Sequence, residues 1–164
     1  MTKSQGYQEQ FDRVKRFYEH FKLINDGLPL PCNDKYKIYD LDEIYAFFIF
    51  CYHLKDWIKN DDSVDKPIRE EVEDFVSEND CLKVCADICN GLKHLVLNPN
   101  RMRSEKQPEF KSKKVSVNFK GKEQPVMKVK FFVSTDSGKK DAFELATECL
   151  KTWEKFIVCQ AKGG

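Results

Sequence analysis

The sequence predicts a mainly α fold: an up-and-down bundle of four to five helices with a β-hairpin inserted before the last one. Three observations carry this reading. Through most of residues 1–100, apolar side chains recur every three or four positions. From about 113 to 134 the spacing changes to strict alternation. The helical period then returns to the end of the chain. A chain of 164 residues is expected to form a single domain, 1–164. Its 41% hydrophobic content, with 13 Phe, is enough for a proper core.

Phe11, Val14, Phe17, Tyr18, Phe21 and Ile24 step by three and four, which predicts a first helix from Tyr7 to Ile24. Asn25-Asp26-Gly27 ends it, with Gly27 suited to the left-handed position after a helix. Pro29 and Pro31 forbid helix in the next loop. Asp40 or Asp42 caps a second helix running to about Asn60. Its first half, Ile44 to Tyr52, is apolar all round, as in a helix surrounded by others.

Ser63 or Asp65 starts a third helix, with Pro67 in its first turn and a stripe of Ile68, Val72, Phe75 and Val76. Asn79 or Asp80 caps a fourth, about Cys81 to Leu97, which Asn98-Pro99-Asn100 terminates. Its apolar arc is expected to run from Cys81 through Leu92 to Leu95 and Val96.

After a polar linker at 101–112, Val115, Val117 and Phe119 alternate with polar residues, as do Met127, Val129, Phe131 and Val133. This predicts a hairpin over about 113–134, joined through 120–125, with its apolar face on the helices and a Lys-bearing face outward. A last helix is expected over about 139–160, its stripe including Leu145, Cys149, Trp153 and Phe156.

Seven cysteines are an odd number, and Met1 to Lys22 is too polar for a signal peptide. No apolar run reaches the ~18 residues of a membrane span. These features predict a cytoplasmic protein with free thiols and no membrane partner. Cys81, Cys85 and Cys89 recur every four residues but lack the short paired spacing of zinc knuckles, so they read as core. Trp57 and Trp153 also read as core. With no Gly-rich phosphate loop, nucleophile elbow or HExxH, no cofactor is implied.

Charge is nearly balanced overall, 28 basic against 27 acidic, but residues 101–140 hold 12 Lys/Arg and only 4 Asp/Glu. This stretch is suited to phosphate or another acidic partner, RNA included; the plainer reading is a solvated Lys-rich edge.

Two polar clusters interrupt the apolar helices. One is Tyr52-His53-Leu54-Lys55-Asp56-Trp57; the other is Asp87-Ile88-Cys89-Asn90-Gly91-Leu92-Lys93-His94. At 100° per residue, His53, Asp56 and Asn60 share a sector of about 60°, and so do Asp87, Asn90 and His94. A buried carboxylate or imidazole needs a partner, and Asp87, Asn90 and His94 are candidates for His53 and Asp56 if the two helices pack together. Three roles fit: a His general base oriented by a carboxylate, a divalent metal on His53 and His94 with Asp56 or Asp87, or a polar network fixing helix register. Gly91 suggests a close helix approach, because glycine costs about 1 kcal/mol relative to alanine inside a helix.

The pair of clusters resembles a group of small bacterial proteins carrying a His-Leu-Lys-Asp-Trp segment on one helix and Asp-x-x-Asn-x-x-Lys-His on a later one. Their helical arrangement is similar to the HEPN superfamily (higher eukaryotes and prokaryotes nucleotide-binding). The resemblance covers roughly residues 40–100 and the helix around Trp153. It implies an α-helical bundle, commonly dimeric, and either a metal-independent ribonuclease of toxin–antitoxin or antiviral systems or a catalytically dead RNA or nucleotide binder. It also implies His94 as base or positioning group, supported by Asn90, Asp87, His53 and Asp56. The active HEPN motif places an Arg before the His on the same helix; here Ile88 and Cys89 hold the nearest positions, leaving no guanidinium there for a scissile phosphate. The alternative class is a non-catalytic interaction or ligand-binding bundle, and a weaker one is a metal-dependent enzyme.

Overall fold

The computed structural model describes residues 6–31, 40–118 and 126–161. The 120–125 connection, Phe119 and Cys32 lie outside the described residues. Five helices, α1 (Tyr7–Asp26), α2 (Asp40–Asn60), α3 (Lys66–Glu78), α4 (Asp80–His94) and α5 (Ala142–Ala161), form a bundle. A small antiparallel sheet precedes α5, made of β1 (Glu109–Asn118), β2 (Val126–Thr135) and β3 (Gly138–Asp141) in that spatial order. The mainly α bundle with its hairpin insertion is the predicted architecture.

α1 stops where its sequence says it should. Gly27 sits at φ 72°, its N–H bonds the Ile24 carbonyl, and the Leu28 N–H bonds Leu23. Those two bonds satisfy carbonyls the helix end leaves open. α2 touches all four other helices. Its apolar surface fills the centre of the bundle: Ile44, Phe47, Phe48, Cys51 and Leu54 are wholly buried. Trp153 of α5, 1% exposed, closes the core from the other side. No helix among the described residues is long and apolar enough to cross a membrane.

Three expectations about elements are corrected. α4 ends at His94, three residues early, because Leu95 takes φ 62°, ψ −49° and the Val96 N–H bonds the His94 carbonyl across it. This is a γ-turn of the strained, positive-φ kind. The Gln107 side chain holds it by donating to the Leu95 carbonyl and accepting from the Leu97 N–H. Leu92, Leu95 and Val96 are therefore exposed rather than part of the core arc, Leu95 at 83%. Second, residues 138–141 form an edge strand on β2 instead of the first turn of α5. Asp141 then caps α5, accepting from the Phe143 and Glu144 N–H groups.

Third, β1 begins at Glu109, inside the expected linker, and only part of its apolar face is covered. Phe110 pairs with Val133 and Ser112 with Phe132, so Lys111 is an extra, bulged residue. The bulge transfers the inward face from Phe110 to the odd-numbered residues Lys113, Val115 and Val117. Val129, Phe131 and Val133 of β2 are buried against the helices, while Val115 and Val117 are about half exposed. The distal half of the hairpin extends past the bundle, and Lys128 and Lys130 are on its exposed surface.

Candidate functional site

The two polar clusters touch directly at a weak His53–Cys89 contact, and the stronger linkage runs through Glu73 and Arg103, outside both motifs. On α2 the Lys55 stem is buried among apolar neighbours, and its ammonium bonds Asp56 Oδ1 at 2.7 Å and Glu73 Oε1 of α3 at 2.9 Å. Glu73 Oε2 in turn accepts from Arg103 Nη2 at 3.0 Å. The Tyr52 ring lies under both cations, 4.9 Å from Lys55 and 5.8 Å from Arg103. Burial alone would raise the Glu73 carboxyl, but hydrogen bonds from Lys55 and Arg103 outweigh it and hold it below its ordinary value. Burial likewise works against the Lys55 charge, and Asp56 and Glu73 overcome it, so Lys55 is raised.

Asp87 of α4 secures the same loop from the opposite side. It is wholly buried. Its carboxylate accepts the Arg103 N–H at 3.0 Å and both the N–H and the hydroxyl of Ser104 at 2.6 Å. Asp56, Lys55, Glu73, Arg103 and Asp87 thus bind α2, α3, α4 and the 103–104 loop into one polar scaffold. Asp87 contacts the loop, not His53 or Asp56.

His53 and Asp56 lie at the edge of α2, each a little under half exposed. His53 Nδ1 is 3.1 Å from Asp56 Oδ2, and Nε2 is 3.8 Å from Cys89 Sγ on α4. These partners assign the Nδ1–H tautomer, with the Cys89 thiol donating to Nε2. The order thiol–imidazole–carboxylate has the form of an activated nucleophile. However, burial pushes the Cys89 thiol up to about 11, with the Asp56 charge adding to it. Cys89 therefore stays protonated, and the arrangement is a weak structural contact between α2 and α4. Asn60 donates to the Asp56 carbonyl of its own helix. Trp57 is only partly buried, with the Arg13 guanidinium 5.0 Å from its ring centre.

Asn90 and His94 are different. Neither side chain has a hydrogen-bond or ion-pair partner among the described residues, and both line an open cleft of about 520 Å³ at the end of α4. Arg101 lines the same cleft, and it too has no partner among the described residues. It comes from the short 3-10 turn Pro99–Arg101, which Asn98 caps by accepting the Asn100 N–H. The early end of α4 at Leu95 turns the chain back so that this turn faces the helix it has just left. Val96 and Leu97 supply apolar wall. The cleft therefore offers an amide, an imidazole and a guanidinium, none of them used by the fold. Sequence spacing could not find Arg101, because its approach depends on the γ-turn.

Another depression of similar volume, about 520 Å³, lies at the start of α4. Its cations are engaged by carboxylates, Lys83 by Asp80, Lys140 by Glu148 and Arg103 by Glu73, so it offers no open cation to an anionic ligand. Among the described residues neither His53 nor His94 belongs to any group of three metal-ligating side chains; the one such group is Cys51, Cys85 and Cys149. Gly91 has no close helix against it either, since an added Cβ would meet only Gln107 Nε2 at 3.7 Å. Comparison with protein-family models, with curated proteins and with solved structures finds no match to this chain.

Proposed function

We propose that the chain is a HEPN-like protein acting on RNA, with Asn90, His94 and Arg101 as its site. One observation carries the reading: three polar side chains without partners among the described residues line one cleft beside the cluster that resembles that superfamily. Buried scaffold residues satisfy one another; residues kept open and unpaired are those available to a ligand.

In this reading Arg101 takes the role of the guanidinium that α4 lacks, reaching a phosphate from outside the helix. His94 removes the proton of a ribose 2′-hydroxyl as that oxygen attacks the adjacent phosphorus; the P–O5′ bond breaks, a 2′,3′-cyclic phosphate forms, and the departing 5′-oxygen takes up a proton from water. Arg101 offsets the charge growing on the phosphate oxygens, and Asn90 orients the group by hydrogen bonding. Asp87 and the Lys55–Glu73–Arg103 chain act as positioning residues, holding the loop that carries Arg101. His53 and Asp56 support the α2–α4 contact.

Lys114 and Lys128 on the overhanging hairpin are exposed, and no ion pair engages them among the described residues. They attract the RNA backbone at long range. The exposed Leu92, Leu95 and Val96 beside the cleft give a second copy an apolar surface for dimer formation. A reducing cytoplasm suits the six free cysteines among the described residues.

The test is cleavage of single-stranded RNA by the purified protein in the presence of a chelator, with His94→Ala and Arg101→Ala alongside. Loss of cleavage in both variants with unchanged melting supports the reading. No cleavage and no RNA binding by the wild-type protein overturns it.

A further inference from the structure

Independently of the cleft, the bundle centre brings together three thiols from three helices: Cys51 of α2, Cys85 of α4 and Cys149 of α5. All three are wholly buried, and their sulfurs lie within 4.8 Å of one another. A point equidistant from three such atoms is at most about 2.8 Å from each, against about 2.3 Å for a zinc–sulfur bond. Half an ångström of side-chain rotation closes that gap. We propose that Cys51, Cys85 and Cys149 hold a thiophilic closed-shell metal ion, Zn²⁺ or Cu⁺, at the centre of the bundle.

A second observation points to the same place. Trp153 Nε1 is buried with no hydrogen-bond partner among the described residues, a costly condition for an indole N–H. It lies close enough to Cys51 to act on its sulfur. Donors aimed at a sulfur are what metal-bound thiolates receive from their surroundings. As thiols, Cys85 and Cys149 donate only weakly, to the Phe48 and Cys81 carbonyls at 3.4 and 3.3 Å.

Each metal–sulfur bond formed breaks one S–H bond and releases one proton to solvent, three for Cu⁺ and four for Zn²⁺ with Cys81, so affinity rises with pH. Soft thiolates select Cu⁺ and Zn²⁺ over harder ions. Three sulfurs suit Cu⁺, whereas Zn²⁺ takes four ligands. Cys81 is the candidate fourth: its carbonyl accepts the Cys149 thiol at 3.3 Å, and its own thiol lies beside Thr152 Oγ1. The site joins α2, α4 and α5, so occupancy raises the stability of the fold.

The full chain, prepared with a non-thiol reductant, is loaded separately with Zn²⁺ and Cu⁺ and studied by X-ray absorption at the metal edge. The expected result is one ion per chain in an all-sulfur shell at about 2.3 Å: three sulfurs for Cu⁺, and four for Zn²⁺ with Cys81 recruited. Cd²⁺ should give a thiolate charge-transfer band that persists in Cys159→Ser. Cys51→Ser should weaken binding by more than about 100-fold, and Trp153→Phe by about 10-fold, the effect of losing an outer-shell partner. Nitrogen or oxygen in the shell, no stoichiometric binding, or a Cd²⁺ band unchanged in Cys51→Ser overturns the proposal. The absorption experiment uses the wild-type chain, so it decides even where a core substitution fails to fold.

Discussion

Replacing Asp87 by alanine should cost about 3 kcal/mol, because this buried carboxylate accepts from two backbone N–H groups and one hydroxyl. A hydrogen bond to a charged group is worth about 1.5–3 kcal/mol, and an orphaned polar group costs about 1–3 kcal/mol. The Arg103 and Ser104 N–H groups are half-buried and can recover part of this from water, which keeps the total nearer the lower sum. The Ser104 hydroxyl loses least, since it already reaches the Lys106 carbonyl at 3.0 Å. Asp87→Asn keeps one acceptor oxygen and should cost about half as much, ~1–2 kcal/mol. With a urea slope of about 2 kcal/mol per molar, Asp87→Ala should lower the midpoint by about 1.5 M. Melting should fall by about 6–12 °C. Equilibrium urea unfolding followed by far-ultraviolet circular dichroism measures this directly. An Asp87→Ala midpoint corresponding to less than about 0.5 kcal/mol, the range of ordinary surface changes, would refute the anchoring role.

Gly91→Ala should stabilise the protein by about 0.5–1 kcal/mol, because the helix gains an alanine and the new Cβ meets no clash; a loss of stability would show a packing role for Gly91. Leu95→Gly should also raise the melting temperature, by relieving a φ of 62° at a residue that buries almost nothing, with a net gain of about 1 kcal/mol; a lower melting temperature would contradict the γ-turn strain. Glu73 has its folded pKa depressed, so its stabilisation is present above the ordinary carboxyl value of 4.5 and is lost as pH falls below it. Stability against pH should accordingly fall more gently below pH 4.5 in Glu73→Gln than in wild type, and parallel curves would remove the Lys55–Glu73–Arg103 linkage.

Local pattern made the helices legible. The stripe from Phe11 to Ile24, the all-round apolar run of α2 and the left-handed Gly27 each follow from neighbours in sequence. What the pattern missed was set by distant partners. α4 looks able to continue through Val96, yet Gln107, more than ten residues on, takes up the Leu95 carbonyl and Leu97 N–H and stabilises the turn. Alternation at Val115 and Val117 suggested a buried face, but burial depends on how far the bundle extends beneath it. The bulge at Lys111 decides which parity of β1 faces inward, and no local residue type announces it. The Cys81-Cys85-Cys89 stripe was visible as core, while the sulfur cluster takes one member from that stripe and two from other helices.

The polar clusters show the same division. Helical spacing placed Asp87, Asn90 and His94 on one side of α4, and the fold then gave them separate duties. Asp87 is consumed by the 103–104 loop, whereas Asn90 and His94 remain open to the cleft. The residues that connect the two motifs, Glu73 and Arg103, carry no recognisable pattern of their own. Arg101 likewise gains meaning only because its turn folds back onto α4.

The most direct test of the cleft is the salt-dependent affinity and cleavage of a single-stranded RNA by wild type and Arg101→Ala, measured together. Arg101→Ala should reduce cleavage by about 100-fold or more, the usual effect of removing a group that stabilises transition-state charge. Its binding should weaken with a salt slope smaller by about 0.7, the contribution of one phosphate contact on a single strand. Equal cleavage and an unchanged slope in the two proteins would contradict an RNA site built from Asn90, His94 and Arg101.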